Sequence, residues 1–231
     1  MTTASGATEA GPPYPIAVID DHELFSTALI MALRGEGLHT FAVSVSDVGR
    51  FLGDADADTG LVVLDLDLGQ DAEGTYRHGA DLVGRLRERG WAVLVVSGSV
   101  DEPGTAGAIA GGAIGSVPKS SSFDVLLPAA RGVPLMTEAE RREWVDLHRH
   151  YLARERELSR RLARLSRRER EVLELLAEGR RAAAVAERLV VSMPTVRTQI
   201  RSILTKLEVS SQLEAVALFR QQPDTGRGRR A

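Results

Sequence analysis

The sequence predicts an α/β domain on a five-stranded doubly wound parallel sheet, then a helical linker and an all-α four-helix domain. Three observations lead there. Over residues 15–131, short apolar stretches alternate with amphipathic or small-residue stretches, the pattern of consecutive βαβ units. Residues 137–165 contain no Gly or Pro and are dense in Arg, Glu and Leu. Charge also divides the chain: residues 1–159 hold 13 Lys+Arg against 24 Asp+Glu, and residues 160–231 hold 16 against 8. A net of −11 followed by a net of +8 marks two modules, the basic one suited to a polyanion.

Residues 1–14, rich in small residues and proline, read as a disordered tail. They lack the basic start and apolar core of a secretory signal. The domain at 15–131 follows. PIAVID (15–20), HTFAVS (39–44), LVVLD (61–65), AVLVVS (92–97) and AIGSV (113–117) read as strands. LFSTALIMALR, VGRFLG, ADLVGRLRER and TAGAIAGG read as the helices between them. The run Leu61–Leu64 is apolar without alternation, which suits a strand covered on both faces.

The linker at 132–165 opens its helix with a capping-box pair, Thr137 and Glu140. Trp144, Leu147, Tyr151, Leu158 and Leu165 fall at heptad-like spacing, interrupted by Arg154 and Arg161. That pattern fits an imperfect dimer seam or, equally, a spacer packing on its own domains. His148 and His150, two residues apart, do not share a helix face and make no metal pair.

In the domain at 166–221, Ser166 and Glu169 form another capping box and Gly179 ends that first helix. RAAAVAERL forms a short second helix and Val190-Val191 a tight turn. Ser192 caps a third helix through about Leu207, with Pro194 tolerated in its first turn. Val196, Ile200, Ile203 and Leu207 give that helix its core face, so Arg197, Thr198 and Arg201 face away. A fourth helix covers about Gln212–Arg220, and residues 222–231 form a basic tail carrying Arg227, Arg229 and Arg230. Two short helices joined by a turn, the second presenting arginines, suit reading of the DNA major groove.

Composition removes several classes of function. The chain has no cysteine, which excludes disulfides, thiolate zinc sites and cysteine nucleophiles. No run reaches the length of a membrane span, so a cytoplasmic protein without membrane association is expected.

The ends of the strands carry the chemistry. Asp20-Asp21, Asp65, Ser97 and Lys119 all fall at one edge of a parallel sheet. Asp65 and Asp67, two apart in a strand, would point the same way. Packed carboxylates resist ionising together unless a cation joins them, and Mg²⁺ suits oxygen ligands. A carboxylate can also attack phosphorus, and phosphoryl transfer then needs a metal, a lysine and a hydroxyl around the equatorial oxygens. The chain uses 27 arginines and two lysines, so a lysine at position 119 suggests a need for a compact point charge.

VIDDH, VVLDLDLG, VVSG and GAIGSVPKS follow the motif order of the receiver domain of two-component response regulators, and residues 15–131 resemble that flavodoxin-like domain throughout. The resemblance implies Asp65 as phosphoacceptor, with Asp20, Asp21, Asp65 and the backbone carbonyl of Asp67 as Mg²⁺ ligands. It also implies that Ser97 and Lys119 bind the phosphoryl group. Two positions depart from the family: Leu68-Gly69 replaces the common Met-Pro, and Ser116 stands where an aromatic usually swings inward on activation. Without that ring, phosphorylation is expected to tighten DNA binding by less than about tenfold. The D-x-D motif also resembles haloacid-dehalogenase phosphatases, but there the motif lies on the first strand and the acidic pair downstream.

LSRREREVLELLAEG and VAERLVVSMPTVRTQIRSILTKLEV resemble the LuxR-type helix-turn-helix of NarL/FixJ-class response regulators. The resemblance implies Arg197, Thr198 and Arg201 as base-facing, and Ser192, Thr195 and Lys206 as phosphate contacts or local support. Arg181-Ala182-Ala183-Ala184 replaces the usual polar opening of the second helix, with Arg180 and Arg181 available to substitute, and Gln199 replaces a common His. The whole reads as a phosphorylation-controlled, DNA-binding transcription regulator and not an enzyme. Its expected partners are double-stranded DNA, a sensor histidine kinase and a second copy of itself on DNA. The alternative is a vestigial receiver whose DNA binding ignores phosphorylation.

Overall fold

The computed structural model describes residues 14–53, 59–70, 76–98 and 101–221. The tails read at 1–14 and 222–231 lie, Tyr14 apart, outside the described residues. The chain divides into two compact units between Arg149 and His150.

The first unit is a parallel sheet with helices on both faces. Its strands are β1 (Ile16–Ile19), β2 (Thr40–Ala42), β3 (Leu61–Asp65), β6 (Ala92–Ser97) and β7 (Gly115–Pro118), in the order β2-β1-β3-β6-β7. Every neighbouring pair in it is parallel. The missing alternation of β3 now has its cause. Ala17, Ile19, Val62, Leu64, Val93 and Val95 enter one core with α2 (Val48–Gly53) and α3 (Ala80–Glu88). Ile16, Val18, Leu61, Val63, Leu94 and Val96 enter the other with α1 (Glu23–Gly35) and α5 (Phe123–Ala130). Both faces are dry, so both sets of alternating side chains must be apolar. Helix α4 (Glu102–Ala110) contributes Ala108 to the first core.

The sequence pattern missed one feature. After β3 the chain bends at Leu66 and forms an antiparallel hairpin from β4 (Asp67–Gln70) and β5 (Tyr76–His78). Its two arms are short and mostly polar, so no period-2 apolar signal announces them. The strand therefore does not continue from Asp65 to Asp67, and the shared face expected for these residues does not arise from strand alternation. Asp65 is buried and Asp67 exposed.

Helix α6 (Glu138–Ala163) begins with the reciprocal Thr137–Glu140 cap. In the first unit, its Arg141 donates to the carbonyls of Ala113 and Ile114. In the second unit, Leu162 and Leu165 are buried and Leu158 packs against them. Leu158 and Leu165, two members of the expected seam, are thus committed to an intramolecular core.

The second unit stacks α7 (Arg167–Ala177), α8 (Ala182–Leu189), α9 (Met193–Leu207) and α10 (Gln212–Arg220) around Val172, Leu173, Val185, Val196, Ile203 and Leu207. Ser166 and Glu169 make the full capping box. At the other end of α7, Gly179 adopts φ +85° while Gly179 and Arg180 donate to the Leu176 and Leu175 carbonyls. This is a Schellman stop. The same stop ends α8, but the left-handed position is taken by Val190 at φ 53°. A β-branched residue there is strained, and this one is 89% exposed, so no packing compensates. Val190→Gly is expected to stabilise the C-terminal unit by about 0.5–1 kcal/mol, the relief of left-handed strain less glycine's entropic cost. Urea unfolding of the two proteins measures this, and a lower midpoint for the glycine variant would contradict it.

Candidate functional site

The carboxyl edge of the sheet gathers the predicted residues of the first unit. Asp20 follows β1, Asp65 ends β3, Ser97 ends β6, and Lys119 follows β7. Asp65 is 1% exposed, and the Asp20 side chain is wholly buried. Lys119 Nζ donates to Asp65 Oδ2 at 2.6 Å. It also lies 2.7 Å from Asp20 Oδ2, forming a second close ion pair. The Phe25 ring of α1 covers the same ammonium, its centroid 4.9 Å away, within cation–π range.

These charges perturb one another. Burial pushes the Asp65 carboxyl above its ordinary value; the Lys119 hydrogen bond works against that, and the Asp20 charge adds to it. Burial would lower Lys119, but its hydrogen bonds and attraction to Asp20 and Asp65 raise it. Asp20 Oδ1 accepts from the backbone N–H of His22 at 2.8 Å, and Asp67 Oδ1 accepts from Gly69 at 3.2 Å. Asp67 thus turns its own carboxylate to the backbone of its hairpin. Both Asp65 and Asp67 still line one cavity of about 660 Å³, with Leu24, Phe25 and Ala28 forming an apolar wall.

Asp20, Asp21, His22 and Asp65 each offer a donor atom, and these atoms lie within 4.8 Å of one another. Asp65 Oδ1 is buried with no hydrogen-bond partner. An oxygen-rich set with an orphaned carboxylate oxygen fits a hard divalent cation such as Mg²⁺. The sequence reading assigned no role to His22 or Phe25. His22 Nδ1 lies 2.7 Å from Asp21 Oδ1. Phe25 shows itself only once α1 is folded against Lys119.

In the second unit, Arg197, Thr198 and Arg201 are exposed on α9. Thr198 Oγ1 donates to the Pro194 carbonyl. Ser192 Oγ accepts from Thr195 N as the helix cap, and the two hydroxyls lie 2.8 Å apart. Lys206 reaches across to Glu169, donating to both carboxylate oxygens at 2.8 and 2.6 Å. Of the two roles open to Lys206 in the sequence, local support is the one this geometry fits. Arg181 is exposed at the start of α8, whereas Arg180 pairs with Glu178.

Comparison with known proteins decides the family. Residues 163–219 match the family described as bacterial regulatory proteins, luxR family. The chain is 30% identical over 210 residues to the transcriptional regulatory protein FixJ of Azorhizobium caulinodans, covering 88% of this chain and 90% of that one. The chain belongs to the NarL/FixJ class of response regulators. It is also 26% identical over 219 residues to the nitrate/nitrite response regulator protein NarL of Escherichia coli K12, covering 91% and 96%. Full-length FixJ from B. japonicum superposes with a TM-score of 0.44 at 22% identity, covering 90% of this chain and 96% of that one. This response regulator carries a LuxR-type DNA-binding domain. Among its described residues, no helix is long and apolar enough to cross a membrane.

Glu169 ties α7 to the arginine-bearing α9. Burial alone would raise its carboxyl, but Lys206, Ser202 and Ser166 together lower it to about 2. A folded value below the ordinary 4.5 stabilises the folded state above that pH, and the contribution is lost as pH falls toward 2. Its full size is on the order of 3 kcal/mol. Acid titration of the C-terminal unit's stability is therefore expected to be steeper in the native protein than in Glu169→Gln. Equal slopes between pH 5 and pH 2 would contradict this.

Proposed function

We propose that this response regulator is switched by phosphorylation of Asp65 by a sensor histidine kinase, and that the phosphorylated state acts on DNA in the cytoplasm. The observation that carries the reading is Lys119 within 2.7 Å of two buried carboxylates at the sheet edge. In the proposed reaction a carboxylate oxygen of Asp65 attacks phosphorus, the donor's phosphorus–nitrogen bond breaks, and the imidazole leaves. Asp20, Asp21, Asp65 and the carbonyl of Asp67 would hold Mg²⁺, which when bound neutralises charge on the transferring group. Ser97 and Lys119 would bind the phosphoryl oxygens.

Asp67 supplies only a backbone carbonyl in this scheme. Asp65→Asn is therefore expected to abolish phosphorylation by a small phosphodonor with Mg²⁺, while Asp67→Asn, which keeps the hydrogen bond to Gly69, retains most of it. Intact-protein mass with peptide mapping reads the result. Loss of labelling in Asp67→Asn alone would contradict the assignment. No adduct on the native chain would favour a vestigial receiver, and steady phosphate release would favour a phosphatase.

On the second unit, we assign Arg197, Thr198 and Arg201 to the base edges of the major groove, with Ser192 and Thr195 at the helix start near phosphates. Lys206 supports α9 through Glu169. A homodimer would place two such helices on DNA. Arg197→Ala and Arg201→Ala are each expected to weaken DNA binding by about 1–3 kcal/mol, relaxing specificity if the contact is to a base and flattening the salt slope if it is to phosphate. Isotherms at several salt concentrations distinguish these, and native affinity in both variants would overturn the assignment.

A further inference from the structure

The β4–β5 hairpin sits directly against Asp65. Gly79, immediately after β5, donates its N–H to the Leu66 carbonyl, and a Cβ on it would overlap the Asp65 carbonyl oxygen. Across the hairpin, His78 is the ladder partner of Asp67. The His78 ring then leaves the hairpin and meets a different element. Its Nε2 lies 2.8 Å from Asp101 Oδ2. Asp101 caps helix α4, its Oδ1 accepting from Gly104 N at 3.0 Å. Gly104 is required for this approach, since a Cβ there would overlap both the Asp101 carboxylate and the His78 ring.

The direction of the bond follows from the other ring nitrogen. Ala80 N–H donates to His78 Nδ1 at 3.3 Å, so Nδ1 carries no proton. The proton is on Nε2, which donates to Asp101. Thus Asp101 accepts two hydrogen bonds, one that caps α4 and one that ties α4 to the hairpin.

We propose that the His78–Asp101 hydrogen bond is the regulatory link by which occupancy of the Asp65 site is transmitted to α4. The proposal rests on Asp65 being the phosphoryl site. A shift of β4 at Asp67 would carry with it the ladder partner His78, and His78 reaches the cap of α4 through one side-chain bond.

Asp101→Asn separates the two bonds of Asp101. Asn Oδ1 still caps Gly104, but its Nδ2 presents hydrogens to a His78 nitrogen that is itself a donor. His78→Leu removes the link from the other side, and His78→Gln keeps an N–H there. Hydrogen exchange of the Thr105–Gly107 amides is measured on the full chain with and without Mg²⁺ and beryllofluoride. Native protein is expected to change exchange in α4 by about fivefold or more, the low end of an allosteric coupling. Asp101→Asn and His78→Leu lose that response while binding the mimic within about twofold of native, and His78→Gln recovers it. A full response in Asp101→Asn and His78→Leu would overturn the link. If the native protein does not bind the mimic, the Asp65 reading fails, and the link is judged on the ligand-free chain. There, His78→Leu is expected to exchange its α4 amides several-fold faster than native, and unchanged exchange would overturn the proposal.

Discussion

Two buried carboxylates and one lysine share the carboxyl edge of the sheet, and this arrangement organises the first unit. Asp20 and Asp65 cannot both stay charged at that depth without a cation between them, and Lys119 supplies one. Replacing Lys119 alone would leave both buried carboxylates without their cation. The apolar strands set the depth of the site: β1 and β3 are dry on both faces, so the residues at their ends start from inside the protein. The orphaned Asp65 Oδ1 shows that the lysine alone does not satisfy the pocket.

The second unit depends on a comparable buried acid. Glu169 closes the capping box of α7 and holds Ser202 and Lys206 of α9. One carboxylate thereby fixes the start of one helix and the orientation of the next. The face of α9 opposite this cluster carries Arg197 and Arg201 in solvent. Lys206 is spent inside the unit, which leaves its positive surface to arginine, the better partner for base edges and phosphates.

Much of this was legible in the sequence because it rests on local rules. Unalternating apolar runs announced buried parallel strands, and the capping pairs at Thr137 and Ser166 announced helix starts. Asp20, Asp65 and Lys119 could be brought together because parallel strands must end on one edge. The rest depends on contacts between residues far apart in the chain. The β4–β5 hairpin has no apolar alternation to betray it. Phe25 meets Lys119 only after α1 packs, and His78 meets Asp101 across 23 positions. Lys206 reads as a free basic residue until Glu169 is placed beside it, 37 positions away in sequence. Val190 runs against local preference, since nothing in a valine suggests a left-handed turn.

In the proposed function, phosphorylation of Asp65 governs DNA binding. The most direct test measures affinity for duplex DNA, selected by the protein from a random-sequence pool, with and without Mg²⁺ and a small phosphodonor. With a serine at position 116, the expected gain is real but below about tenfold, and absent in Asp65→Asn. No gain in the native protein, or the same gain in Asp65→Asn, would contradict the claim.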